Sequence, residues 1–489
     1  MKLIKKQLIN TTVYNLLTWI SKLAIFPIVV KSFEVSEYGT YGLLNALIAY
    51  GSIVFSAELY AFLRKELPGK EKRYQLSMYK SVHLPFLLII ALLTLSIIGL
   101  NLEGYIAYLI GDDGLRNEVF YALIIILGEI GLKDIVRYFV SVKKIQTGNF
   151  LHFFNQQSWG LALIAIYFSG MPITIELWLK IKVITVFVSF VIGINLIGIK
   201  KLFKADFNIH YLFKALSFSS VILLGVFMTQ TGTFLSRFFV KEFISLQAIG
   251  LFFFSLKLPQ LASGFSTSII NKVSRVHLIE AINKNELGKM RILGGKLMIF
   301  NLVLYSLLIF PIVLNLNGLI LFFGKSEYLV TKPLILILFA SNYFLIFSLV
   351  YYTYLFAKGR KDLLLYISIG KLVSNTVILI VCIHFFGLLG ASIAFFIGNL
   401  TYFLISWAPY RNEKMILFPK NSNKFLIIAA VVGLLFVAQL FISQFFNITS
   451  IEYIIATSVI SLAIPVGLFI TLNIVKLNIK QREISINWK

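Results

Sequence analysis

The sequence predicts an all-α, polytopic membrane fold of about fourteen transmembrane helices. The first observation behind this is composition: 58% of the 489 residues are hydrophobic and only 13% are charged. Mean hydropathy is +0.88, far above that of a soluble globular domain. The second is that apolar stretches of about 20 residues, each long enough to cross a bilayer, recur along the chain. The third is the distribution of charge. The formal net charge is +24, and its basic residues cluster in every second connection.

The apolar stretches fall near 10–31, 38–62, 82–102, 118–140, 153–170, 174–198, 215–236, 244–270, 296–316, 333–356, 363–385, 388–408, 424–443 and 452–475. The first is preceded by Lys2, Lys5 and Lys6, but the run is too long for a signal peptide and no small-residue cleavage site follows, so it is expected to be a retained span. With the N-terminus in the cytoplasm, about 33 of the 45 basic residues fall in inside segments and about six in outside loops, which predicts cytoplasmic termini. The charge is then topological, and the basic loops suit a lipid surface, not nucleic acid. No connection is long enough for a soluble catalytic domain. The single cysteine, Cys382, excludes a disulfide framework, and the scattered histidines suggest neither metal nor cofactor.

The fourth stretch, EVFYALIIILGEIGLKDIVRYFV, carries Glu129, Lys133, Asp134 and Arg137 in its second half. At helical spacing these fall on one arc of about 140°, opposite Tyr121, Ile124, Leu132, Ile135 and Phe139. A charge at the centre of a membrane helix costs about 2.5–3.5 kcal/mol, so four require partners or a watery cavity. Glu129 with Lys133 at i,i+4 and Asp134 with Arg137 at i,i+3 supply local pairs. Two roles follow: paired charges that lock a bundle, or a polar interior for a charged solute. The mixed signs beside an apolar face favour the second.

Other spans carry polar stripes. Lys22 follows Thr11, Asn15 and Thr18; Gln230, Thr233 and Arg237 share a face; so do Lys257, Gln260, Gly264 and Thr267, and Ser368, Lys371 and Asn375. Pro27 and Pro259 predict bends. Lys180, Lys182 and Arg237, near helix ends, are expected to snorkel. The deeper Lys22, Lys133 and Lys257, with Arg137 and Lys371, are candidates to bind an anionic group. Glu58, Glu129 and Asp134 are candidates to carry a coupling proton or sodium ion, with salt-bridge duty as the alternative.

An internal echo relates the first two spans to the seventh and eighth. Val30 to Phe33 leads through Glu37-Tyr38-Gly39-Thr40-Tyr41 into the second, and Ser236 to Phe239 leads through Gln247-Ala248-Ile249-Gly250-Leu251-Phe252 into the eighth. Such symmetry marks transporters built from two halves. It suggests a six-helix lobe at 1–205, a second at 206–415, and a terminal transmembrane pair with a cytoplasmic tail at 416–489.

The segment from Pro27 to Gly42, PIVVKSFEVSEYGTYG, resembles the first-hairpin signature of Wzx-type polysaccharide and O-antigen flippases, within the multidrug/oligosaccharidyl-lipid/polysaccharide superfamily. Leu355 to Lys361 and Phe386 to Ala394 are similar to that family's tenth-to-twelfth-span region. The resemblance implies a transporter, not an enzyme, that moves an undecaprenyl-pyrophosphate-linked oligosaccharide across a bacterial plasma membrane for surface polysaccharide or lipopolysaccharide synthesis. It also implies two six-helix lobes around a cationic cavity with alternating access, membrane lipids as surroundings, and polysaccharide polymerase machinery as a partner. Many relatives have twelve spans, so the terminal pair departs from the pattern. The rival readings are a cation-coupled multidrug antiporter, which would favour an acidic cavity, and a membrane-embedded glycan polymerase or ligase, which would need a long outer loop.

Overall fold

The computed structural model describes residues 2–56, 59–67, 70–110, 113–142, 144–283, 287–358, 360–412, 475–478 and 483–486. The two spans expected at 424–443 and 452–475, and the candidate Glu58, lie outside the described residues. Among the described residues, regular structure is helical apart from an antiparallel hairpin, β1 (Val475–Asn478) with β2 (Glu483–Ile486). The chain divides into two compact units, Met1–Gly250 and Leu251–Lys489.

The first unit contains α1 (Lys2–Ser32), α2 (Val35–Val54), α3 (Leu59–Glu66), α4 (Lys72–Gly99), α5 (Leu102–Ile110), α6 (Arg116–Ser141), α7 (Ile145–Phe168), α8 (Ile175–Ile197), α9 (Ile199–Lys204) and α10 (His210–Phe243), and the start of α11 (Leu246–Asn283). Its centre is α6, which packs against α2, α3, α4, α5, α7 and α8. Small residues allow this crowding. A Cβ on Gly128 would strike Val186 of α8, and one on Gly131 would lie 2.6 Å from Phe190.

The apolar stretch expected as one span at 38–62 is broken. Ser52 and Ser56 donate to the carbonyls of Ala49 (3.2 Å) and Ile53 (2.7 Å), drawing the last turn of α2 onto itself, and the chain restarts as the short α3. At the other end Glu37 accepts a hydrogen bond from the Glu34 backbone N–H at 2.9 Å, fixing where α2 starts.

The two echoing segments meet. A Cβ on Gly39 would strike the carbonyl oxygen of Leu246, and a Cβ on Gly250 would strike the carbonyl oxygen of Val35. Each glycine thus faces the residue four before the other, so α2 and the start of α11 cross with backbones in contact and equivalent positions exchanged. α10 packs on α2, α3 and α4.

Between α4 and α6, Arg116 grips the turn into α5: its Nη2 donates to Asn101 Oδ1 (2.6 Å) and to Glu103 Oε1 (2.8 Å). The Arg116 hydrogen bond holds the Glu103 carboxyl below the usual carboxylate range. A depressed folded-state value stabilises the fold above the unfolded carboxyl pKa and ceases to do so as pH falls through the folded value. A thermal melt series on wild type and Arg116→Ala should therefore converge as pH drops below about 4.

The second unit contains the rest of α11, α12 (Leu287–Leu314), α13 (Leu316–Phe323), α14 (Lys332–Ala357) and α15 (Lys361–Asn412). α12 and α13 meet at a 79° bend beside Asn315, whose Nδ2 donates to the Pro311 carbonyl at 2.9 Å. The stretches expected at 363–385 and 388–408 are the two arms of α15, broken at Gly387, whose φ of 55° lies in the left-handed region. Gly370 faces Ile405, Gly398 faces Asn375 and Gly390 meets the Cys382 carbonyl, so the arms run antiparallel in close register. Ser341 of α14 accepts from Asn399 (2.8 Å) and donates to the Phe395 carbonyl (3.0 Å), tying α14 to the second arm.

By length and composition, five described helices can cross a membrane, or seven if each of two bent pairs is one span. α6 is not among them, because Glu129, Lys133 and Asp134 interrupt its apolar run. With the helical architecture and these apolar spans, the chain is a polytopic membrane protein.

Candidate functional site

The charged arc of α6 is split between two neighbours. Glu129 and Lys133, one turn apart, face α8 and α2. Lys133 Nζ lies 3.1 Å from Glu129 Oε2 and donates to Ser52 Oγ of α2 at 2.6 Å. Lys182 Nζ of α8 approaches Glu129 Oε1 at 3.6 Å. The side chains of Glu129 and Lys182 are 7% and 9% exposed, and that of Lys133 27%. Two ammonium groups thus share one buried carboxylate, and the cluster carries one excess positive charge. Lys133, the more open of the two, presents it.

Lys182 corrects an expectation. It does not snorkel but is buried, its Nζ lying 5.7 Å from the Trp178 ring centroid and reaching Glu129. Lys180, two residues earlier, stays half exposed and pairs with Glu176 at 2.7 Å. The rings around Trp178 close one side of the cluster: Tyr41 lies 4.5 Å and Trp159 6.4 Å from it, centroid to centroid.

Asp134 is turned the other way. Its partner is not Arg137 at i,i+3, as expected, but His83 of α4, with Nδ1 2.7 Å from Oδ2. An interhelical bond between two fully buried groups displaces the local pair, which would run along the helix surface. Arg137 lies half buried, two turns beyond Glu129 on the same line.

The other candidates are dispersed. Lys22 is exposed on α1, with no hydrogen bond or ion pair among the described residues. The side chains of Thr11 and Asn15 lie outside the described residues, and Thr18 donates to the Tyr14 carbonyl at 2.7 Å. In the second unit, Lys257 lies 4.0 Å from the Phe253 ring centroid and Lys371 4.6 Å from that of Tyr402. Both lysines are half buried, and an ammonium over a ring gains about 0.5–1 kcal/mol at an exposed site and about 2 kcal/mol when desolvated.

Three partners escaped the sequence reading: Ser52, His83 and Lys182. For Lys182 a signal existed, since Thr185 and Ser189 repeat its face at i+3 and i+7 and both are buried. For His83 and Ser52 none did, because their roles depend on which helix lies opposite.

No family model matches the sequence, and no curated protein matches it. Solved structures do. The lipid II flippase MurJ in an inward closed conformation superposes with a TM-score of 0.69 at 17% identity, over 95% of this chain and 99% of that one. The Vibrio cholerae MATE transporter VcmN gives 0.56 at 15% identity, over 83% of this chain and 96% of that one. A MOP superfamily transporter from Pyrococcus furiosus, described by a reverse polarity of its binding pocket, gives 0.56 at 14%, over 85% and 96%. At these identities the likeness is one of architecture: this chain has the fold shared by the MurJ flippase and the MATE transporters.

Proposed function

We propose that this protein is a transporter, not an enzyme, and moves an undecaprenyl-pyrophosphate-linked oligosaccharide across the bacterial plasma membrane by alternating access, both termini being cytoplasmic. The observation that carries the reading is the excess positive charge at Glu129, Lys133 and Lys182, deep in a helix that most of its unit packs against. A drug cation would be repelled by it, whereas a pyrophosphate would be attracted. The likeness to a lipid II flippase over nearly the whole chain supports it further.

In this mechanism Lys22, Lys133, Arg137, Lys257 and Lys371 engage the pyrophosphate, and Glu58, Glu129 and Asp134 are the groups for a coupling ion. The lobes are those of residues 1–205 and 206–415, followed in sequence by the terminal pair and tail at 416–489. The lipid tail stays in the bilayer while the headgroup crosses, and substrate drives the change by binding one state better than the other. Surface polysaccharide or lipopolysaccharide synthesis, with a polymerase acting on the delivered unit, is the process it serves.

The fold is also that of MATE transporters, and the buried carboxylates Glu129 and Asp134 favour a second reading, a cation-coupled multidrug antiporter. Liposomes decide between them. Movement of a fluorescent polyprenyl-pyrophosphate oligosaccharide should fall about ten- to hundredfold in Lys133→Ala, the loss of one charge-assisted contact. Lys22→Ala and Lys257→Ala should also slow it. Lys133→Ala should stay folded, because Glu129 keeps Lys182. Equal rates in all samples remove the lysines from the mechanism, and movement of cationic dyes alone selects the antiporter.

A further inference from the structure

We propose that His83 and Asp134 form a proton-binding site, resting on the transporter reading above for its use in coupling. The pair is 2.7 Å apart, with side chains 1% and 0% exposed. Its two outer atoms, His83 Nε2 and Asp134 Oδ1, are buried and make no hydrogen bond to any described residue. A structural histidine in an apolar setting ordinarily satisfies both ring nitrogens. Here the inner atoms satisfy each other and the outer ones are left over.

The proton count follows from the bonding. With one proton on each nitrogen and none on the carboxylate, the pair is an imidazolium and a carboxylate, and its net charge is zero. Adding a proton at Oδ1 gives a neutral acid beside the imidazolium; removing one from Nε2 leaves a neutral imidazole donating to the carboxylate. Either step changes the charge of a dry site by one unit, which is costly without water. The proton count is therefore fixed while the site is closed and changes only when water reaches those outer atoms. A coupled carrier needs a site of this kind.

The neighbours leave the dyad to itself. On α4 the Tyr79 ring lies 4.9 Å from that of His83, and Tyr138 of α6 lies 4.8 Å from Tyr79. Lys80 of α4 is held by the carbonyls of Phe203 and Ala205, at 2.8 and 2.9 Å. Lys182 of α8 and Lys133 of α6 are engaged by Glu129, and Glu103 of α5 by Arg116. Arg137 of α6, Tyr41 of α2, Glu66 of α3, His152 of α7, the lysines of α9, and His210 and Lys214 of α10 are among the other titratable groups of the surrounding helices, and none of these bonds to the dyad. The opposite side of α4, roughly 120–160° around the helix from His83, holds the segment leading into α10: Ser77 donates to the Asp206 carbonyl and Ser81 accepts from the Asn208 N–H, both at 2.8 Å. A change in how α4 meets α6 thus reaches α10 directly.

The test is infrared difference spectroscopy of the purified full-length protein in liposomes, stepped between acid and neutral pH. A carboxylic-acid band from a dry environment is expected in wild type. It should shift on labelling with 13C-aspartate, vanish in Asp134→Asn and move in His83→Gln. In parallel, an imposed pH gradient should change movement of the polyprenyl-pyrophosphate probe at least about threefold in wild type, with the response lost in His83→Gln. Absence of any label-sensitive acid band from wild-type protein, a result that needs no variant to fold, overturns the proposal. A titrating band in protein that moves no probe sustains the proton site and counts against the flippase reading instead.

Discussion

Replacing Gly250 with valine is expected to prevent this protein from reaching its compact form. The side chain would be driven into the carbonyl oxygen of Val35, a backbone atom that cannot rotate away, and Gly39→Val would meet the Leu246 carbonyl in the same manner. Overpacking a closed interior costs about 1–3 kcal/mol where side chains can shift, and more where only backbone can yield. Even alanine should lower the melting temperature at either position. Gly99, which has open space around it at the end of α4, supplies the control: Gly99→Ala should change stability by less than about 1 kcal/mol. Melting of detergent-purified variants, followed by size-exclusion chromatography, reads all of these. Equal melting of Gly39→Ala, Gly250→Ala and Gly99→Ala would mean that the crossing is loose.

The second large effect is expected at Glu129. Converting it to alanine leaves Lys133 and Lys182 facing each other with no counter-charge, one of them 9% exposed. Removing one partner of a buried ion pair costs about 3–5 kcal/mol, mainly because the remaining charge is stranded. Glu129→Ala should therefore express poorly or melt far below wild type. The double variant Glu129→Gln with Lys182→Met should recover much of that loss, since the deeper stranded charge has been removed. Failure of Lys182→Met to rescue would show that Glu129 acts by some means other than balancing these lysines.

The contrast between these two sites explains what the sequence could disclose. Glu129 and Lys133 are neighbours on one helix, so their pairing is a matter of spacing and was legible. Lys182 joins them only because α8 lies against α6, and its position near a helix end pointed to the opposite behaviour. Asp134 shows the same limit, since the sequence offers Arg137 at i,i+3 while the fold offers His83 on another helix. Long apolar runs were legible as helices because burial and length are local properties; the break after Val54 was not, because serines that bond back to their own helix look like any others in an apolar run. The echo around Gly39 and Gly250 was legible as symmetry. That the two glycines touch was not, because contact is a property of the folded chain.

The hairpin of α15 bears on how the chain enters a membrane. Two apolar arms are joined at a single glycine, with Phe385 and Phe386 exposed at the tip and no polar loop between them. A translocation channel that releases spans one at a time would find no hydrophilic segment at which to pause. The arms are thus suited to leave it together as a preformed pair, their glycines already facing. A glycosylation or protease tag placed at Gly387 would lengthen that joint and should hinder insertion itself, whereas one placed at Gly170, in the exposed turn between α7 and α8, should be tolerated.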